Sequence, residues 1–138
     1  SRHDLGGHGA VTLHMDPGSP APNLIRQARA LMARSNPPTA FVCHNDETAA
    51  EFIKALNAID LRVPQQVAVV GYGDDYIADK IIPTLTTVRI PVESMVDLGC
   101  RLISDRLKHN KWDQADIAMP NELIIRESCG CSSQPAPA

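Results

Sequence analysis

Two aspartates, Asp74 and Asp75, stand side by side behind Gly71-Tyr72-Gly73, at the end of the apolar run Val67–Val70. Adjacent carboxylates repel, so their position implies compensation by a metal ion, a ligand hydroxyl or a helix N-terminus. A Gly-Asp-Asp triplet could hold magnesium at the hairpin tip of a polymerase palm. That site needs a strand on each side of the turn and a further acid on a neighbouring strand. Here Tyr76–Ile82 follows and runs into Pro83, which reads as a short helical turn. At 138 residues the chain is also far too short for a polymerase.

A second polar pair, Asn45 and Asp46, closes another apolar run, Thr39–Cys43. If both runs are parallel strands, the two pairs lie on one rim. In open α/β sheets, ligands bind in the crevice outside the carboxyl ends of the strands. Asn and Asp side chains on such a rim can donate to and accept from hydroxyls at fixed spacing, which suits a polyol. The same residues also suit helix capping: Asn45 or Asp46 for the helix that follows, Asp74 for the turn after Gly73. The two uses are compatible.

Other clusters carry less. Cys43 and His44 are neighbours on a strand and point to opposite faces, so they cannot pair as nucleophile and base. Cys43 reads as a packing residue. His3, His8 and His14 fall on a helix end, a loop and a strand, without metal-ligand spacing, and no metal or other cofactor is expected. Gly71-Tyr72-Gly73 does not extend to a Gly-x-Gly-x-x-Gly phosphate loop, and Lys108–Lys111 reads as a solvated helix end.

The elements that must position the rim follow from periodicity. A helix end and a loop open the chain, then a short strand over Val11–Met15. Ser19 and Pro20 start a helix whose buried stripe is Leu24, Ile25, Ala28, Leu31 and Met32, running to about Arg34. Thr39–Cys43 is apolar without alternation, as expected of a strand buried on both faces. A helix with Ala49, Phe52, Ile53 and Leu56 inward leads to a second buried strand, Val67–Gly71. Strand, helix, strand with short links is a parallel unit, so the fold class is α/β. Leu85–Val88 forms a third β-rich run. Pro91 opens a long helix with Met95, Val96, Leu98, Gly99, Leu102, Ile103 and Leu107 mostly inward, and Glu122–Glu127 is the last strand.

Composition bounds the function. Apolar residues make up 43%, charged residues 21% and aromatics 4%, an ordinary globular balance. A net charge of −3 does not suit direct gripping of phosphate backbones. No apolar run approaches the roughly 20 residues that span a bilayer, and no signal peptide is visible. The four cysteines (Cys43, Cys100, Cys129 and Cys131) fit neither a disulfide framework nor a Cys-x-x-Cys site, which reads as free thiols in a reducing cytoplasm.

The stretch PTAFVCHNDETAAEFIKALNAIDLRVPQQVAVVGYGDDYIADKIIPTLTTVRIPVESMVDLGCRLISDRL, closing on MPNELIIRESCG, resembles the C-terminal part of the LacI/GalR family of sugar-responsive bacterial repressors. The signature is a strand ending in Asn-Asp, then Leu-x-Val-Pro, a strand into Gly-Tyr and acids, Pro-x-Leu-Thr-Thr-Val, a long helix and Leu-x-x-Arg-Glu-Ser. The resemblance covers roughly residues 11–129. It implies an incomplete periplasmic-binding-protein-like fold: a parallel-sheet sandwich of two lobes with a ligand cleft, most of the first lobe and a helix-turn-helix head lying upstream. Residues 1–87 would belong to the C-terminal lobe. Residues 88–117 would be the crossing and a helix of the N-terminal lobe, 118–129 the returning strand, and 130–138 a disordered tail. The hinge would be Thr87, Val88, Arg89 and Ile90, and the helix after it would expose an apolar patch.

The resemblance further implies that Asn45 touches effector hydroxyls, with Asp46, Gly73, Asp74 and Asp75 completing the rim. Counted back from Leu85-Thr86-Thr87-Val88, Gly73 occupies the position where the family carries its ligand-binding acid. Glycine there resembles the gluconate-type branch. Partners would be a carbohydrate or sugar-acid effector, a second copy through Ala50, Ile53, Lys54 and Ile81, and operator DNA through the upstream head. The alternatives are a transport-associated sugar-binding protein of the same fold and an α/β enzyme using Asp74 or Asp75 as general base.

Overall fold

The computed structural model describes residues 21–109 and 116–131. Helix α1 (Ala21–Met32) is followed by β1 (Ala40–Val42), α2 (Asp46–Asn57) and β2 (Ala68–Gly73). A short 3-10 turn (Tyr76–Asp79) then leads into β3 (Thr86–Arg89), α3 (Val92–His109), β4 (Glu122–Ile124) and a second 3-10 turn (Glu127–Cys129). The strand expected over 11–15, the histidines at 3, 8 and 14, and the tail beyond Cys131 lie outside the described residues.

The four strands form one sheet in the order β1-β2-β3-β4. β1 pairs with β2 in parallel, Phe41 opposite Val69, and β2 pairs with β3 in parallel, Gly71 opposite Thr87. β4 runs antiparallel to β3, with Val88 opposite Leu123, so the sheet is mixed rather than wholly parallel.

The core lies on one face of this sheet. Leu24 and Ala28 of α1 and Ala49, Phe52, Ile53, Ala55 and Leu56 of α2 pack with Val67, Val69, Ala78 and Leu85. Phe41 meets Phe52 with ring centroids 4.6 Å apart. Val69 of β2 and Val67, the residue just before that strand, are two positions apart and both fully buried. The expectation that β1 and β2 are buried on both faces is corrected here. Val42 is 83% exposed, and Ala68 and Val70 are only half-buried. Among the described residues α2 packs on the sheet and α1 packs on α2, while Val42 on the other face is left open.

Helix α3 departs from the expectation of an inward stripe, and meets the expectation of an exposed apolar patch. None of its residues is buried, and Val92, Met95, Val96, Leu102, Ile103 and Leu107 are all exposed. Of the expected hinge residues, Thr87, Val88 and Arg89 are paired within the sheet. Ile90 and Pro91 alone separate β3 from α3.

Candidate functional site

The rim forms where β1 and β2 end. Asn45 follows β1 in extended backbone and caps α2, its Oδ1 accepting from the Thr48 N–H at 2.8 Å. Among the described residues no hydrogen bond leaves its Nδ2, so the amide keeps donors for another partner. Asp46, in the first turn of α2, has no exposed surface. Its Oδ2 accepts from the Asp75 N–H at 2.7 Å and its Oδ1 from the Thr87 hydroxyl at 2.5 Å. Thr87 Oγ1 in turn accepts from the Asp74 N–H at 3.4 Å. The N-terminus of α2 favours an anion at this place. The expected meeting of the two polar pairs therefore occurs, with Asp46 as the buried tie between them.

Gly71 explains how Asp46 fits. A Cβ at Gly71 would overlap Asp46 Oδ1 and lie 2.8 Å from Leu85 Cδ2. Only a residue without a side chain lets the carboxylate lie against the strand. Two residues on, Gly73 adopts φ 128° and Asp74 φ 58°, a left-handed step that turns the chain out of β2. Glycine enters this region freely, and Asp is among the residues that tolerate it.

The compensation of the acid pair comes from arginines. Arg126 donates to Asp74 Oδ1 at 2.6 Å, and Arg89 donates from Nε and Nη2 to Asp74 Oδ2 at 2.7 Å. The Asp74 side chain is only 8% exposed. Burial would raise its proton affinity, but hydrogen bonds from Arg126 and Arg89 outweigh this and hold the carboxyl below its ordinary 3.8. Arg89 reaches Glu122 as well, at 3.3 Å, and remains half exposed. Asp75 is exposed and stands at the start of the 3-10 turn without a side-chain cap bond.

Sequence reasoning missed what holds the far side of the rim. Arg126 also donates to the Leu85 carbonyl at 2.8 Å. Ser128, fully buried, donates to the Val69 carbonyl at 2.6 Å and accepts from the Thr86 N–H at 2.9 Å. Glu127 accepts from the N–H and hydroxyl of Thr84, which keep its carboxyl below the usual range. The available signal was that a paired acid needs a cation, and Arg126 lies within the Arg-Glu-Ser signature. Cys43 is half-buried, and burial with Asp46 nearby pushes its thiol to about 11. That suits packing and disfavours a nucleophile.

The four residues proposed for a partner surface do not share an exposed face. Ala50 and Ile53 are 2% and 3% exposed, and Ile53 belongs to the chain's own core, because α2 turns that side toward the sheet. Ile81 is half-buried against the same core. Lys54 is exposed and pairs with Glu51 at 2.7 Å. Among the described residues no group of acids, histidines and cysteines could hold a metal ion, and no helix is long and apolar enough to cross a membrane.

The sequence profile of the periplasmic binding protein-like domain matches residues 6–129. The chain is 35% identical to the probable HTH-type transcriptional repressor ExuR of Bacillus subtilis over 98 residues, which is 71% of this chain and 29% of that protein. It is 32% identical to the lactose operon repressor of Rhizobium radiobacter over 103 residues, 75% of this chain and 90% of the relative. Among solved structures, the transcriptional regulator CelR in complex with cellobiose superposes with a TM-score of 0.68 at 30% identity, over 78% of this chain and 33% of that one. The chain thus spans less than a third of the length of ExuR and about a third of CelR. It is a member of the periplasmic binding protein-like domain family, and the relatives it matches are named as transcriptional repressors, LacI-type regulators among its structural neighbours.

Proposed function

We propose that this chain is part of the effector-sensing core of a LacI-type transcriptional repressor that responds to a sugar or sugar acid. The observation that carries the reading is the juxtaposition of Asn45, with unused amide donors, and Asp75, with an exposed carboxylate, at the ends of two adjacent parallel strands. That is the crevice where open α/β sheets take polar ligands. The cellobiose held by the similar CelR supports a carbohydrate, and the names of the relatives favour a repressor over a transport protein or an enzyme.

A sugar acid is the finer proposal. Gly73 removes a carboxylate from the rim, Asp46 is sealed, and Asp74 is neutralised by two arginines. Asp75 and the half-exposed Arg89 are then the charged groups that remain accessible, and Arg89 suits an anionic oxygen. In this reading the residues up to β3 and the returning β4 form one lobe, and Ile90 with Pro91 is the crossing to the other. α3 belongs to that second lobe. A homodimer would use the surface near Lys54 and Ile81, and operator DNA would be reached through a head outside this chain.

The test is thermal melting of the full-length protein against neutral sugars, sugar acids and sugar phosphates, with Asn45→Ala alongside. A ligand at about a hundred times its Kd adds roughly 2.7 kcal/mol. A shift from one ligand class that vanishes in Asn45→Ala supports the reading and names the class. No shift from any class, in a protein that melts cooperatively, rejects it.

A further inference from the structure

Cys129 and Cys131 flank Gly130 at the end of the second 3-10 turn, where Gly130 adopts φ 73°. All described cysteines are free, and Cys131 is exposed while Cys129 is half-buried. We propose that these two thiols are a modification site, a dithiol that closes reversibly to an intramolecular disulfide.

Geometry favours closure. Residues two apart in sequence lie within about 7 Å at full extension, and a disulfide needs Cα atoms roughly 4.4–6.8 Å apart. The left-handed Gly130 folds the pair inward: the Cys131 N–H donates to Cys129 Sγ at 3.2 Å, and the Cys131 thiol to the Cys129 carbonyl at 3.8 Å. The sulfur of Cys129 therefore already sits over the backbone of Cys131, whose exposed side chain can rotate to meet it. The two thiols also differ. Burial raises Cys129, but hydrogen bonds from Thr86 and Cys131 outweigh this and leave it below the usual thiol range, whereas its neighbour Cys129 raises Cys131. That division suits an attacking and a resolving sulfur.

The oxidant is a hydroperoxide. The Cys129 thiolate attacks one peroxide oxygen, the O–O bond breaks, and the departing oxygen takes a proton to leave as water or an alcohol. Cys129 is then a sulfenic acid. The Cys131 sulfur attacks the Cys129 sulfur, the S–S bond forms, the S–O bond breaks, and hydroxide leaves as water with the Cys131 proton. The two thiols have lost two electrons and the peroxide has gained them. Cys129 donates its S–H to the Arg126 carbonyl at 3.6 Å, so oxidation removes a hydrogen bond to the residue that clamps Asp74.

The experiment treats the reduced full-length protein with hydrogen peroxide, quenches with N-ethylmaleimide and reads peptide masses. The expected result is a peptide across residues 127–131 that has lost two hydrogens, carries no maleimide and regains both thiols with dithiothreitol. Cys131→Ser, at an exposed position, should stop at a Cys129 sulfenic acid that dimedone captures. The proposal is overturned if both cysteines stay alkylatable while Cys100 oxidises, or if Cys129 is recovered only in a bond to another chain.

Discussion

The main-chain N–H of Asp75 donates to Asp46 Oδ2 at 2.7 Å, so the acid after β1 holds the turn after β2. Asp46 has no exposed surface, and its other oxygen is taken by the Thr87 hydroxyl. It is a positioning residue for the rim, and Asn45 and Asp75 are the side chains left facing outward.

Asp46→Ala should lower stability by about 1–3 kcal/mol for each donor it strands, Thr87 Oγ1 and Asp75 N–H, in urea unfolding. Gly71→Ala should lower it by roughly 1–3 kcal/mol through overpacking against Asp46 and Leu85. Because the added methyl meets Asp46 Oδ1, the two effects should not sum: Gly71→Ala should be milder in the Asp46→Ala background. Strict additivity would mean that the glycine is required for another reason.

The arginine clamp on Asp74 sets an acid limit. Its folded carboxyl lies below 3.8, the ordinary value, so the clamp contributes full stability above pH 3.8 and loses it as pH falls through the lower folded value. Melting temperatures taken between pH 5 and pH 2 should therefore decline more steeply in the native protein than in Asp74→Asn, as an order-of-magnitude expectation from the linkage relation. Parallel curves would remove Asp74 from the acid transition.

Ser128 joins β2 to the closing turn from a fully buried position. Ser128→Ala leaves the Val69 carbonyl and the Thr86 N–H without this partner and should lower stability by roughly 1–3 kcal/mol in equilibrium urea unfolding. Ser128→Thr, which keeps the hydroxyl but adds a methyl in a packed place, separates the lost hydrogen bonds from simple sensitivity to volume.

Cys43 should resist alkylation. Its thiol is pushed to about 11 and is half-buried, whereas Cys100 on α3 is exposed. At pH 8, roughly the ordinary thiol midpoint, iodoacetamide should label Cys100 well before Cys43, read by peptide mass spectrometry. Equal rates would show that α2 and β1 open readily in solution.

Much of this arrangement was legible because it depends on local order. The alternation of strands and helices, an N-cap at Asn45 or Asp46 (Asn45 in the structure) and the stripe Ala49, Phe52, Ile53 and Leu56 follow from residue type and spacing. Burial on the second face of β1 and β2 was not legible. An apolar run reads the same whether or not another layer covers it, and Val42 at 83% exposure shows the difference. A partner surface is harder to read for a related reason: the resemblance implies one through Ala50 and Ile53, spacing puts Ile53 on the inward stripe, and within this chain both are buried. Long-range pairs were the least visible. Arg126 reaches Asp74 across 52 positions, and nothing local marks which arginine would do so.

The tie through Asp46 joins the start of α2, the exit of β2 and the buried hydroxyl of β3 into a single unit. Conformational entropy at this rim is therefore surrendered when the chain folds, before any guest arrives. A ligand meeting it loses little affinity to ordering the backbone, so differences among ligands should reflect the atoms they present to Asn45, Asp75 and Arg89.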